Sequence, residues 1–450
     1  MTPEPMTAGA IVPIDYARRL AGRRGRVLLH SGRNDDGLGR WSFVAAEPHA
    51  TLIARGHSIL ELDREGRAVR RFTGDPFDAA EAFLAREGCT LGGPIAEAPE
   101  PRVIGYLGYD LARMVERLPG GPRVGRDCPD LWLAAYRAVA RIGPDGELEI
   151  VGSEAGARRE LAGWLARMPT AVLPPRLARF QPDDDGAHHM ARIDRIRDYL
   201  SAGDVYQVNL ARRLVARLTS PGDPLAIYAA LAEVAPAPYG ALIEADGVAV
   251  ISGSPERFLA AVGERVETRP IKGTRPRAPG GAAELSASAK DAAEHLMIVD
   301  LERNDLGRIA DTGSVSVDEL GYIVELPALY HKVSRVSAHP RNGTGYAALL
   351  RATFPGGSIT GAPKVRAMQL IDELEPAVRG PYCGALGYFG AGGGFDLAMG
   401  IRIGVLVRDE LRVHVGGGIV ADSEPWAELA ETETKAAGWI AALDALRALA

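Results

Sequence analysis

Short apolar runs broken by turn residues fill the first third of the chain. RVLLHS, WSFVAAEP, HATLIARG, RVIGYLGYD and LWLAAYRAVARIG each read as a strand, bounded by Gly, Pro and Asp. Helical spacing interrupts them at 76–86 (PFDAAEAFLAR). Apolar order lapses over 169–187, which opens PTAVLPPRLARFQPDDDG; its prolines and three consecutive aspartates predict a linker. Beyond it the pattern sharpens. Residues 188–202 suit a helix stopped by Gly203, VYQVNLARR (205–213) alternates as a strand, and PLAIYAALAEV (224–234) starts a helix with proline. YGALIEA, VAVISGS and RVETRPI follow as strands, 284–305 as mostly helix, and 361–375 as a helix with proline in its first turn. YCGALGYFG, DLAMGIRIGVLV and LRVHVGGGIV read as strands joined by glycine-rich turns. A long helix from about 424 closes the chain, with Asp422 and Ser423 as candidate N-caps. Strands come in runs and not in βαβ alternation, which predicts antiparallel sheets with helices outside them, an α+β fold.

Composition narrows this picture. The 450 residues are 46% hydrophobic and 24% charged, enough for a large core. Net charge is −6, which offers no broad basic face to nucleic acid. No stretch approaches a membrane span, and residues 1–20 lack the apolar core of a leader, so a cytoplasmic protein is expected. Cys89, Cys128 and Cys383 form no C-x-x-C pair and predict neither a zinc knuckle nor a disulfide framework.

Chemistry-bearing residues concentrate after the linker. Glu424, Glu428, Glu431 and Lys435 share one face of the last helix, either a solvated acidic face or a carboxylate stripe for a hard cation such as Mg²⁺. Gly416, Gly417 and Gly418 precede it and let a ligand carboxylate approach backbone N–H groups. Glu294 and His295 adjoin the apolar run LMIV; a charge there reaches water at the helix edge, or needs a partner or a metal. IKGTRPR sets Lys272, Arg275 and Arg277 around a glycine, a basic loop or a site for a nucleophilic amine. Glu256 lies sixteen residues earlier in SGSPERF, close enough for two strands to bring amine and carboxylic acid into one cleft. That pair suits displacement of a hydroxyl leaving group. FPGGSITGAPK (354–364) feeds a helix but is no Walker A loop, and GAGGGF (390–395) lacks dinucleotide spacing. Arg402 interrupts an apolar strand and either pairs or meets a ligand carboxylate; His188 and His189 read as a solvated helix start. Together these groups suit a small dianionic substrate.

The stretches GDVYQVNLARR, SGSPERFL, RPIKGTRPR, KDAAEHLMIVDLERNDLGR, FPGGSITGAPKVRAMQLIDELEP, YCGALGYFG, IRIG and GGGIVADSEPWAELAETETKA resemble the chorismate-utilising enzymes. Within that family the likeness is strongest to component I of aminodeoxychorismate synthase. The match covers nearly all of 188–442; LLHSGR, GRWSFVAAEP and GYLGYD extend it loosely towards the N-terminus. The resemblance implies two large packed antiparallel sheets with peripheral helices. It divides the chain into an N-terminal anthranilate synthase component I-like region (1–168), a linker (169–187) and a chorismate-binding catalytic region (188–445). It implies Mg²⁺ on Glu294 and Glu431 with Glu428 beside them, anchoring the ring carboxylate of chorismate. Tyr382, Arg402 and the backbone of Gly416–Gly418 match the positions that hold the enolpyruvyl carboxylate. Thr274, Ser358 and Thr360 fall in substrate-binding motifs. Glu256 matches a general acid for the C4 hydroxyl, and His295 a residue near that hydroxyl.

Two positions sort the branches. Relatives that add water carry a lysine where this chain has Gln207, and glutamine cannot deprotonate water. Anthranilate synthases have alanine where this chain has Lys272, the residue taken to attack C2 in the aminodeoxychorismate branch. The resemblance therefore implies conversion of chorismate and ammonia to 4-amino-4-deoxychorismate, for p-aminobenzoate and folate. Anthranilate synthesis, or a non-catalytic binder of chorismate or tryptophan, is the alternative. None of the cysteines lies in a nucleophile elbow, so ammonia would come from a partner glutamine amidotransferase. Related chains bind tryptophan around a motif matching Leu28–Ser31. Leu429 and Ile403-Gly404 depart from the usual wording of their motifs.

Overall fold

The computed structural model describes residues 8–33, 36–92, 98–120, 125–169, 173–326 and 329–448. Residues 1–7, at the start of the segment read for a leader, and 170–172 of the expected linker lie outside it. Among the described residues the strands form two large antiparallel sheets. One runs in the order Arg176–Leu177, Gln207–Ser220, Glu410–Ile419, Ile403–Val407, Val248–Ser254, Tyr239–Ala245, Val27–His30, Ser42–Ala45, Val139–Ile142, Leu148–Val151. The other runs Ile271–Pro276, Leu329–Ala338, Arg265–Arg269, Arg257–Val262, Phe395–Met399, Ala385–Gly390, Pro101–Leu107, Leu131–Ala135, Ala50–Arg55, Ser58–Asp63, Ala68–Thr73. This is the α+β fold of two packed sheets that the sequence implied. Regions 1–168 and 188–445 contribute strands to both sheets, and 176–177 and 181–182 of the intervening stretch pair with Gln207–Ser220.

Three apolar layers hold the sheets. Strand side chains alternate between faces, so Trp132 and Ala134 point into the layer between the sheets while Leu131 and Leu133 point to the helices outside. Val27, Ile243, Val250 and Val405 meet Trp132 and Ile104 in that central layer. Helices Pro224–Val234 and Pro425–Ala448 cover the first sheet through Leu231 and Trp439; Pro76–Arg86 and Tyr346–Thr353 cover the second through Phe77 and Tyr346. The two helices that begin with proline match the sequence reading end to end, because Asp75 and Asp223 cap them and proline fixes the first turn.

Two long runs read as single strands are in fact corners where the chain changes sheet. LWLAAYRAVARIG splits into Leu131–Ala135 and Val139–Ile142, and DLAMGIRIGVLV into Phe395–Met399 and Ile403–Val407. The halves are buried on both faces at most positions, so apolar residues resume directly after each bend and only Arg137 and Arg402 mark it. Arg402 marks the second corner with φ of 54°, in the left-handed region. A third corner lies between Val248–Ser254 and Arg257–Val262, and it carries Glu256. The latter two corners are stitched together: Ser254 Oγ donates to Met399 O at 2.7 Å, and Met399 N to Glu256 O at 2.9 Å. The stretch 284–305 forms the end of one helix, Gly281–Ala287, and most of a second, Ala289–Gly307, capped by Ser288.

Candidate active site

Lys272 stands on the edge strand Ile271–Pro276 of the second sheet and reaches the strand Glu410–Ile419 of the first. A Cβ added at Gly418 would lie 3.0 Å from Lys272 Nζ and 2.9 Å from Gln207 Cδ. One added at Gly417, on the other face, would lie 3.2 Å from Glu428 Oε2, 3.6 Å from Glu431 Oε1 and 3.7 Å from Lys435 Nζ. Glycine at these positions is what leaves a cradle open between amine and carboxylates. Strand Ile403–Val407 pairs only as far as Val413, so beyond it one edge of Gly416–Gly418 has no strand neighbour. Gly416 O faces that edge and accepts from Lys435 Nζ at 2.8 Å.

Each carboxylate of the expected metal set already has a protein partner. Glu294 pairs with Lys272 at 3.5 Å, Glu431 with Lys435 at 2.6 Å, and Glu428 accepts from Ser423 Oγ at 2.6 Å. Ser423, expected as an N-cap, thus spends its hydroxyl proton on Glu428, and Asp422 pairs with Lys290. Among the described residues no three His, Cys, Asp or Glu groups cluster tightly enough to hold a metal ion. Glu428 and Glu431 do converge over Gly417. Burial, reinforced by Glu431, holds the Glu428 carboxyl above its ordinary range; Lys435 outweighs burial at Glu431 and holds it below. Two oxygen donors in mutual repulsion fit a hard divalent cation.

The acid side of the cleft is buried. Glu256 is 4% exposed and accepts from Ser358 Oγ at 2.7 Å. Burial pushes its pKa up to about 8, with the buried carboxyl of Glu302 adding to the rise and Lys272 opposing it. His295 is buried, its Nε2 2.5 Å from Ser334 Oγ and its Nδ1 without a partner. Burial, with Lys332 and Lys272 nearby, lowers its pKa to about 4, so the ring is neutral at pH 7. Gln207 is fully buried and neither of its amide heteroatoms has a hydrogen-bond partner. Tyr382 is buried and stacks on His414 with ring centroids 5.3 Å apart. Arg402 is exposed at the rim and donates to Lys435 O at 3.1 Å.

Two expected substrate ligands are committed elsewhere. Thr360 is fully buried and its hydroxyl donates to Gly356 O at 3.0 Å, which shapes the loop. Thr274 is exposed and its hydroxyl lies 2.8 Å from His331 Nδ1. His189, expected as solvated, is 1% exposed: the helix starts at Gly186, capped by Asp185, which turns His189 inward and leaves His188 outside. Sequence reasoning passed over Ser334 and Glu302. Glu302 sits seven residues after His295, on the same helix face, which is the signal that could have found it.

A separate cavity of about 340 Å³ opens between the sheets, lined by Leu29, His30, Tyr239, Arg257, Tyr388 and Asp396 among others. None of Lys272, Glu294 or Glu431 lines it.

Comparisons with known proteins bear on the fold and the family. Aminodeoxychorismate synthase component 1 of Klebsiella aerogenes is 38% identical, over 93% of this chain and 94% of its own length. Anthranilate synthase component 1 of Thermus thermophilus is 38% identical over 76% of this chain and 77% of its own. The crystal structure of anthranilate synthase component I from Streptococcus pneumoniae superposes with a TM-score of 0.77 at 28% identity, covering 89% of this chain and 92% of that one. The model of the chorismate binding enzymes matches residues 32–441, and the chain belongs to that family.

Proposed function

We propose that this chain is component I of an aminodeoxychorismate synthase, which replaces the C4 hydroxyl of chorismate with an amino group. The observation that carries this reading is the placement of Lys272 Nζ at the Gly418 cradle, beside the buried amide of Gln207. The lysine, as free amine, attacks C2; both ring double bonds shift round towards C4 and the C4 hydroxyl leaves as water, protonated by Glu256. Ammonia then adds at C4 and expels the lysine. In this structure Lys272 is paired with Glu294, so attack requires that pair to open. Burial keeps Glu256 protonated up to about pH 8, as an acid catalyst at neutral pH needs. Arg402 and Tyr382, with the free edge at Gly416, supply donors for the enolpyruvyl carboxylate.

Glu428 and Glu431 would hold Mg²⁺, with Glu294 on the neighbouring wall. The ion's contribution is to anchor the ring carboxylate. Ammonia would come from a partner glutaminase. The cavity beside Leu29 and His30 coincides with the motif that relatives use for tryptophan, which supports a regulatory amino-acid site there. Incubation of the purified chain with chorismate, Mg²⁺ and ammonium, followed by a lyase that releases p-aminobenzoate, tests the assignment. We expect p-aminobenzoate; anthranilate as dominant product would favour the anthranilate synthase reading.

A further inference from the structure

Glu302 is a buried carboxylate that the proposed chemistry does not use. It is 2% exposed, and its Oε2 has no hydrogen-bond partner. A carboxyl in that state costs stability, so its retention calls for a role. Its Oε1 accepts from Gly357 N at 3.0 Å, and the Ser358 N–H also faces it. Gly357 is pressed against the helix: a Cβ there would lie 2.9 Å from Leu301 Cβ and 3.1 Å from Glu302 Oε1. The next residue, Ser358, donates to Glu256 Oε1 at 2.7 Å. On the loop's other side Ile359 O accepts from Asn209 Nδ2 and Arg379, and Asn209 N donates to Thr360 O. Lys364, paired with Asp305, donates to Pro355 O at 2.7 Å. The loop is therefore fixed at 355 and 359–360 by other groups; between them Thr360 holds the carbonyls of Gly356 and Gly357, and Glu302 holds the Gly357 N–H.

We propose that Glu302 is a positioning residue for the reaction: by accepting the Gly357 N–H it holds the loop so that the Ser358 hydroxyl is aimed at Glu256, and so orients the proton that Glu256 delivers. The carboxylate touches no reacting atom; it acts through Ser358. The Ser358 proton occupies Oε1 of Glu256, which directs the acid proton to Oε2. This inference rests on Glu256 being the general acid, and the experiment separates the two.

The full-length protein is assayed for chorismate consumption with Mg²⁺ and saturating ammonium, and folding of every variant is checked by thermal melting. Glu256→Gln is measured first; full turnover there would remove the general-acid reading and this inference with it. Given loss in Glu256→Gln, Glu302→Met, which keeps volume but removes the acceptor, is expected to lower kcat about tenfold with KM for chorismate within twofold. Glu302→Gln, which still offers an acceptor to Gly357 N, recovers kcat to within threefold of the parent. Ser358→Ala lowers kcat as far as Glu302→Met, and the double variant falls no further, because both act through one hydroxyl. Parental kcat in Glu302→Met, or losses that multiply in the double variant, would overturn the proposal and leave the general-acid reading intact. Should Glu302→Met fail to fold, Glu302→Leu takes its place under the same criteria: a tenfold loss of kcat that Ser358→Ala does not deepen supports the proposal, and parental kcat overturns it.

Discussion

Two openings in the same sandwich treat polar groups in opposite ways. Around the glycine strand, buried polar atoms lack protein partners: both amide heteroatoms of Gln207, beside Gly418, and Nδ1 of His295 on the neighbouring helix. In the cavity beside Leu29 the charged wall is closed on itself. Arg257 holds Glu267 at 2.7 Å and Asp396 at 2.8 Å, and Tyr239 donates to Asp396 at 3.2 Å. A buried polar atom left unpaired costs about 1–3 kcal/mol, a cost a ligand can relieve. A saturated network keeps shape instead. On the proposed function, the first opening is arranged for chemistry, the second for holding a molecule or for rigidity.

The largest expected effect comes from the amine. Lys272→Ala should lower chorismate amination by about a hundredfold or more, since it removes a nucleophile; turnover within threefold of the parent would place the chemistry elsewhere. Gly418→Ala should lower kcat about tenfold, because its methyl lies 3.0 Å from Lys272 Nζ and 2.9 Å from Gln207 Cδ. Unchanged kcat would mean the cradle is not occupied during turnover. The third effect is in pH. Glu256 must carry its proton to act, and burial raises its pKa to about 8. At constant free ammonia, kcat/KM should turn down near that pH and fall about tenfold per unit above it as Glu256 loses its proton; no downturn up to pH 10 would show that Glu256 is not the acid. The smallest catalytic effect is expected in the second opening. Asp396→Ala should cost about 1–3 kcal/mol in denaturant unfolding, with turnover of the folded protein kept within threefold. A large catalytic loss there would erase the contrast between the two openings.

The sequence and the fold agree most closely where a local device sets the boundary. Asp75 and Asp223, each followed by proline, begin helices at the residues expected. Agreement fails at the corners, where apolar runs resume directly after Gly400–Arg402 and Tyr136–Ala138 although the chain leaves one sheet for the other. Side-chain period reports that a strand is buried, not which sheet buries it. The same limit hid part of the site. Lys272, Glu256 and the C-terminal glutamates stand out because charges or glycines interrupt apolar segments. Thr360 and Thr274 carry the right chemistry in the right motif, yet their hydroxyls turn to Gly356 and His331, a choice made by tertiary contacts. Glu302 looks like one more acid in a charged stretch, and its burial against the loop at Gly357 is set by tertiary packing.

The central claim is a covalent bond between Lys272 and the substrate ring. Intact-protein mass spectrometry after mixing with chorismate and Mg²⁺ in the absence of ammonia, followed by peptide mapping, tests it directly. The account predicts an adduct equal in mass to chorismate less water, on the peptide carrying Lys272 and lost in Lys272→Ala. An unmodified chain that still aminates chorismate once ammonium is added, with no adduct trapped at any time, would contradict it.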